Sequence, residues 1–505
     1  MTTFRQALFR VLLWWALCLT ALIVACVAQP ARATDVCGAV CDDTWTSAGS
    51  PYVATCDVHV AAGCTLTVDG NVEVRFQAGV QLTVEGSLLV DGSVNPGATF
   101  TSDLDPPEVG DWGGIRLTGS SSSTVDLAEI SFADHALRVD GQASVSLQSV
   151  TTKFNDTGVS ISGAGPLTFT ASDCTFRSNE SDGVTIVAES LDLNVNIHGS
   201  SIWNNLGWNL SASSVYPFDA SRLVIYAREN SWGDTDPSNI ARFIEDVRHH
   251  YLYPKVDWCD YLVGGAPREV HCPALEIGDG ETFVMEATDR PWLLTTEMNV
   301  RPGGFLRVGP GVEVITPELY HDALASIWVE GDLEINGTPG SPARFTTEGA
   351  GLGDKPWWAG VSLMGDLANA TIEHAVFENG EWGLHVFQEA SATLTGITAR
   401  YNLVGLHIAS GASVAATDSA FTLNELDGAF IVPSQHQPGG PQASATIHGS
   451  SIHSNGRYDY YVLPGGGHSV LDAQRNWWGT DDPTVIREHI WDNLDDPGLS
   501  RVDWC

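Results

Sequence analysis

Residues 173–184 read Asp173-Cys174-Thr175-Phe176-Arg177-Ser178-Asn179-Glu180-Ser181-Asp182-Gly183-Val184, and residues 418–429 answer them with Asp418-Ser419-Ala420-Phe421-Thr422-Leu423-Asn424-Glu425-Leu426-Asp427-Gly428-Ala429. The phrase also recurs at short range, as Phe154-Asn155 before Gly158-Val159 and as Tyr401-Asn402 before Gly405-Leu406. Alternating apolar residues, an aromatic, an Asn and a Gly thus return every roughly 20–26 residues, the spacing of a solenoid with one coil per repeat. Period-two alternation of Val, Ile, Thr and Phe between Gly, Asn and Asp clusters means short strands joined by tight turns. An Asn at one corner of every coil can bond the Asn above and below, which satisfies a buried polar turn, and the neighbouring aromatics are expected to stack inside.

Working outward, the whole chain is a duplication. Ile197-His-Gly-Ser-Ser-Ile202 recurs as Ile447-His-Gly-Ser-Ser-Ile452, and Trp112 matches Trp358. Asn230-Ser-Trp-Gly233 with the later Val256-Asp-Trp-Cys259 returns as Asn476-Trp-Trp-Gly479 with Val502-Asp-Trp-Cys505. Coils are expected to start at Val125, Val145, Leu167 and Leu193 in one copy and at Ala370, Ala392, Val414 and Ala445 in the other. Strands at this spacing without crossover helices wind into a parallel β-helix with coils about 4.8 Å apart. Open solenoid ends need covers. Asp236 before Pro237, with Ile240, Phe243, Ile244 and Val247 on one face, predicts a short capping α-helix, and Asp482, Pro483, Ile486 and Ile490 predict a second. The expected fold is all-β: two tandem right-handed parallel β-helices, 34–259 and 260–505, each closed by such a helix.

The string Leu82-Thr-Val-Glu-Gly-Ser-Leu88, then Phe100-Thr-Ser102 and Gly110-Asp-Trp-Gly-Gly-Ile115, resembles the opening coils of bacterial secreted or surface right-handed parallel β-helix repeat proteins. Asn476-Trp-Trp-Gly479 resembles their closing segment. The resemblance implies the pectate-lyase-like fold and an exported setting. It implies no one activity, because this fold hosts lyases, hydrolases, epimerases and adhesins.

Residues 1–33 read as a signal peptide: Arg5 and Arg10, an apolar run from Val11 to Ala28, and a small-x-small ending at Ala33. Ile23-Val24-Ala25-Cys26 also fits a lipobox, which would anchor Cys26 to a membrane, and an uncut run would be a membrane anchor. The address is extracellular or cell surface. Ten cysteines, less Cys18 and Cys26 of the leader, leave an even set suited to disulfides in an oxidising compartment. Cys56 and Cys64 are replaced together, by Thr296 and Gly304, in the second copy, as a mutually bonded pair would be. Cys259 with Cys272 forms a second short loop and Cys37 with Cys41 a weaker third, while Cys174 suits a buried free thiol.

The chain has 24 Lys or Arg against 62 Asp or Glu, a formal net charge of −38. Nucleic acid is excluded as a partner, and acidic polysaccharides are disfavoured unless a cation bridges them. A lyase would need cationic groups. Lys153 and Arg400 hold equivalent positions, yet neither has a partner constellation. Were the chain a hydrolase, Asp173 and Asp182 with Asp418 and Asp427 are the recurring carboxylates. Asp-Gly is nonetheless a turn dipeptide. Asp103, Asp105 and Asp111, with Glu108, are hard oxygen ligands that could take Ca²⁺, although a solvated acidic loop explains them as well. No cofactor is required. Of 17 tryptophans, Trp357 and Trp477 lack Trp counterparts in the first copy and are the ligand-binding candidates. The functional expectation is a non-catalytic module for adhesion, carbohydrate contact or envelope architecture, with a polysaccharide or a surface protein as partner. The alternative is a carbohydrate-active enzyme, a hydrolase or lyase, on neutral sugars.

Overall fold

The computed structural model describes residues 33–120, 122–140, 144–317, 325–348, 358–432, 442–464 and 470–505. The expected signal peptide as far as residue 32, with Cys26, and Trp357 lie outside the described residues.

Each coil contributes three short strands that pair in parallel with the same strands of the next coil. In the second copy the described strands form two nine-stranded sheets and one seven-stranded sheet. In the first copy two of the three faces are joined, because the long strand Tyr52–Val60 turns a corner and pairs with both Glu73–Phe76 and Gln81–Val84. The molecule is an all-β parallel β-helix in two solenoid segments. Alternation sorts the side chains: in Leu167–Ser172, Leu167, Phe169 and Ala171 are buried and Thr168 is exposed. The apolar cluster runs from Trp45 to Val502 through both copies without a break.

The expected coil starts of the second copy are in register, Ala370 opposite Ala392, Val414 and then Ala445. In the first copy Leu167 and Leu193 are in register, whereas the earlier steps are two residues out, since Val125 faces Leu147 and Val145 faces Phe169. A slip of two keeps every side chain on its face, so alternation alone cannot detect it.

The Asn corner is a continuous ladder. Asn155 Nδ2 donates to Asn179 Oδ1 at 3.1 Å, and Asn179 Nδ2 to Asn205 Oδ1 at 3.0 Å. Asn402, Asn424 and Asn455 repeat it at 3.3 and 2.9 Å. The residue before each Asn takes a positive φ, as at Phe154, Ser178 and Tyr401. The aromatics are therefore not all inside. Phe176 and Phe421, three residues before their Asn, are fully buried, whereas Phe154, directly before its Asn, is 41% exposed.

The expected capping helices are corrected. Asp236 does cap a helix, accepting from the Ser238 N–H at 2.9 Å, but the helix is only Pro237–Ala241. Ile244–Glu245 is already a strand paired with Leu210–Ser214. Likewise Pro483–Glu488 is followed by the strand Ile490–Trp491. One turn is all the segment can form before the coil reclaims its apolar residues, which is why Phe243 ends 46% exposed instead of buried. The last strand edges are met by buried carboxylates: Val502 N–H donates to Asp492 Oδ2 at 3.0 Å and Val256 N–H to Asp246 Oδ2 at 3.4 Å. Asp246 Oδ2 also accepts from Thr296 Oγ1 of the second copy at 2.9 Å.

Among the described residues three disulfides are present. Cys259 joins Cys272. The Cys56–Cys64 pairing and the Cys37–Cys41 loop are corrected, since Cys37 joins Cys56 and Cys41 joins Cys64. The reason is the register: Thr34–Val40 lies alongside Tyr52–Val60, so each cysteine meets a partner on the neighbouring coil rather than along its own chain. Cys174 is a buried free thiol whose pKa burial pushes up to about 11.

Candidate functional site: an aromatic column on the second copy

One outward column of side chains differs between the copies. In the first copy the stacked positions are His59, Thr83, Arg116, Arg138, Ser160, Thr185, Ser211 and Glu245. In the second copy the same eight steps are Asn299, Trp328, Ser362, His385, His407, Phe430, Tyr461 and Trp491. Parallel in-register pairing places each residue above its counterpart one coil away, so identical rings can stack along the axis.

Rings stack without a break from His385 to Tyr461. His385 lies 4.5 Å from His407, His407 lies 4.7 Å from Phe430, and Phe430 lies 5.3 Å from Tyr461, all near parallel. Trp382 stacks on His407 at 4.5 Å, and Phe387 stacks on His385 at 4.2 Å. Tyr458 extends the surface from Tyr461, and the Arg457 guanidinium sits 4.3 Å from the Tyr461 ring centre. Most of these rings are half-buried, and His407 is buried. Desolvation holds the imidazoles neutral, pushing His385 down to about 4 and His407 to about 3. Neither ring nitrogen of His407 has a hydrogen-bond partner. Both nitrogens are buried, so what the face presents is chiefly apolar ring area.

The carboxylates named from sequence do not converge. Asp173 and Asp182 flank the strand Thr175–Arg177 at opposite corners. Asp173, at φ 52°, accepts from Gln148 Nε2 at 2.7 Å, while Asp182 accepts from the Trp208 N–H at 2.7 Å and the Thr185 hydroxyl at 2.9 Å. Asp418 is an exposed turn residue at φ 52°. Asp427 is fully buried against the Arg457 guanidinium, with Nε to Oδ1 at 2.9 Å. Lys153 and Arg400 are paired in the same manner to the preceding coil, Lys153 with Glu129 at 2.8 Å and Arg400 Nε with Glu378 at 2.7 Å. Asp111 Oδ2 is engaged by the Ser102 hydroxyl at 2.6 Å and the Glu108 N–H at 2.9 Å, and Asp105 is exposed. Among the described residues no three His, Cys, Asp or Glu side chains gather as a metal site around these or Asp103. Trp477 is 52% exposed, apart from the column, on the strand edge bridged to Ser451.

His385 and His407 were not singled out from sequence, yet a signal exists. Trp382-Gly-Leu-His-Val386 and Val404-Gly-Leu-His-Ile408 are one coil apart and put an imidazole at the same step twice.

No family model matches the chain, and no curated protein matches it. Among solved structures, the crystal structure of the periplasmic alginate epimerase AlgG aligns at 10% identity and TM-score 0.23, covering 81% of this chain and 74% of that one. A point mutant of that enzyme aligns over the same shares at 10% identity and TM-score 0.24.

Proposed function

We propose that this is an exported, non-catalytic β-helix module of two tandem units, 34–259 and 260–505, and that the aromatic column of the second unit is its carbohydrate-contact face. The observation that carries this reading is the contrast between the copies. The first builds the same coils with Thr, Arg and Ser at the positions where the second has Trp, His, Phe and Tyr, so coil formation does not require the rings. Sugars present C–H faces beside hydroxyls, and Trp, Tyr and neutral His offer apolar area with a polar handle. The large negative charge favours neutral glycans over uronates. The paired disulfides suit an oxidising compartment.

An enzymatic reading has one feature to rest on, the unpartnered nitrogens of His407, and both are buried away from any substrate. Against it, imidazoles held near 3 and 4 are poor general bases at neutral pH. The test is affinity electrophoresis in gels cast with neutral or acidic polysaccharides, with new reducing and unsaturated ends assayed in parallel. Retardation by a neutral polysaccharide is expected, weakened about tenfold by Trp382→Ala or Phe430→Thr, which restores the first copy's residue type. Retardation unchanged in both variants would remove the column from the reading, and new chain ends would replace it with the enzyme.

A further inference from the structure

The first copy closes around a cavity. It has a volume of about 280 Å³ and lies between the strand Ser201–Trp203, the Trp232-Gly233 turn and the one-turn helix Pro237–Ala241. Gly233, at φ +78°, lets the chain pass so close to Trp203 that a Cβ would sit 2.6 Å from the Trp203 Cβ. Trp203 is thereby held upright, 38% exposed, with the Arg177 guanidinium 5.9 Å from its ring centre. Asn204, Asn209 and Asn239 bring amides to the wall, and Asn239 Nδ2 is oriented by Asp234 Oδ2 at 3.1 Å. Trp232 also lines the cavity. It is 3% exposed, and its indole Nε1 has no hydrogen-bond partner. Trp478 Nε1 is likewise buried and unpaired, so this nitrogen belongs to the closure common to both copies, and Trp232 serves the cavity through its ring.

In the second copy the buried tryptophan is retained as Trp478, but Trp203, Asn204, Asn209 and Asn239 become His453, Ser454, Asp459 and Val485. Closing the coil therefore does not call for the amides or the exposed indole. We infer that this cavity is a binding site for one neutral sugar ring, with the Trp203 indole against its C–H face and the asparagine amides on its hydroxyls. Amides supply both donors and acceptors, as vicinal hydroxyls require, and the volume is near the lower end of small-ligand sites. The site stands apart from the aromatic column and does not depend on it.

The experiment is a titration of the ¹⁵N-labelled protein with glucose, galactose, mannose, xylose, N-acetylglucosamine and their methyl glycosides, following the tryptophan indole N–H resonances. A saturable shift of the Trp232 indole signal is expected with at least one sugar, its affinity lowered about tenfold or more by Trp203→Ala and by Asn239→Val. The second variant installs the residue that the other copy carries, so it keeps the fold. Trp382→Ala should leave this shift intact, which separates the two sites. No shift at Trp232 with any of these sugars overturns the inference, and so does a shift that persists unchanged in both pocket variants.

Discussion

The imidazoles of His385 and His407 stack 4.5 Å apart, one coil above the other, and both are held neutral by burial among aromatic rings. An unfolded histidine titrates near 6.5, whereas these titrate at about 4 and about 3 in the fold. Between those limits the unfolded chain binds more protons than the native one, so stability rises with pH through the window. Acidification from neutral should cost stability progressively below about pH 6.5, and the loss should level off only below the folded values. Chemical denaturation of the wild type and of His407→Phe at several pH values checks this. The Phe variant, which repeats Phe430 one coil earlier, should show a flatter profile from pH 6.5 to 4, and equal slopes would mean that the pair is not desolvated.

Asn179 sits in the middle of a ladder. Its side chain accepts from the Asn155 N–H at 3.2 Å and gives to Asn205 at 3.0 Å, at 1% exposure. Asn179→Ala orphans the buried Asn155 N–H and removes both side-chain rungs, while Asn205 Oδ1 keeps the bond from the backbone N–H of residue 179 at 3.1 Å. The expected loss is about 2–4 kcal/mol in urea denaturation. Asn204→Gly, one residue from the ladder and exposed, tolerates the φ of 57° and removes only a 3.2 Å bond to Ser178, so it should cost less than about 1 kcal/mol.

The parts of the fold that follow from local pattern were legible. Alternation marked the strands, and Asn at a fixed corner marked the ladder, because each depends on residues within one or two coils. Pairing across coils was not, and the cysteines show why. The joint replacement of Cys56 and Cys64 reflects two bonds to Cys37 and Cys41 that exist only in the first copy, so co-loss reported a shared neighbourhood and not a shared bond. The site was hidden for a related reason. Duplication draws attention to what the copies share, such as Asp182 and Asp427, and those residues serve turns and buried ion pairs. The column and the cavity lie where the copies differ.

The N-terminal coil depends on its two crossed staples. Thr34–Val40 pairs with Tyr52–Val60 along one edge and buries only alternate residues partway. Loops closed over 19 and 23 residues are each worth about 3 kcal/mol. Cys41→Ser with Cys64→Ser should open this coil to protease cleavage between 34 and 51 while the second copy stays resistant. Peptide mapping of the unreduced wild type should recover Cys37 linked to Cys56, and a Cys56–Cys64 peptide would refute the arrangement.

Lys255 has no exposed surface and reaches across the junction, pairing with Glu276 and lying 4.0 Å from Glu297. Burial lowers its pKa against the pull of Glu276, and burial raises that of Glu297. Arg301 Nε holds Glu276 from the other side at 3.0 Å. Lys255→Met therefore strands mainly Glu297, and removing one member of a buried pair costs about 3–5 kcal/mol. If 34–259 and 260–505 are units that can fold separately, the cost falls on their interface. Calorimetry should then resolve the unfolding of the variant into two transitions where the wild type shows one, and adding Glu297→Gln should draw them back together. A single transition displaced as a whole would instead mean that the two copies form one cooperative column, with the continuous apolar core outweighing the polar junction.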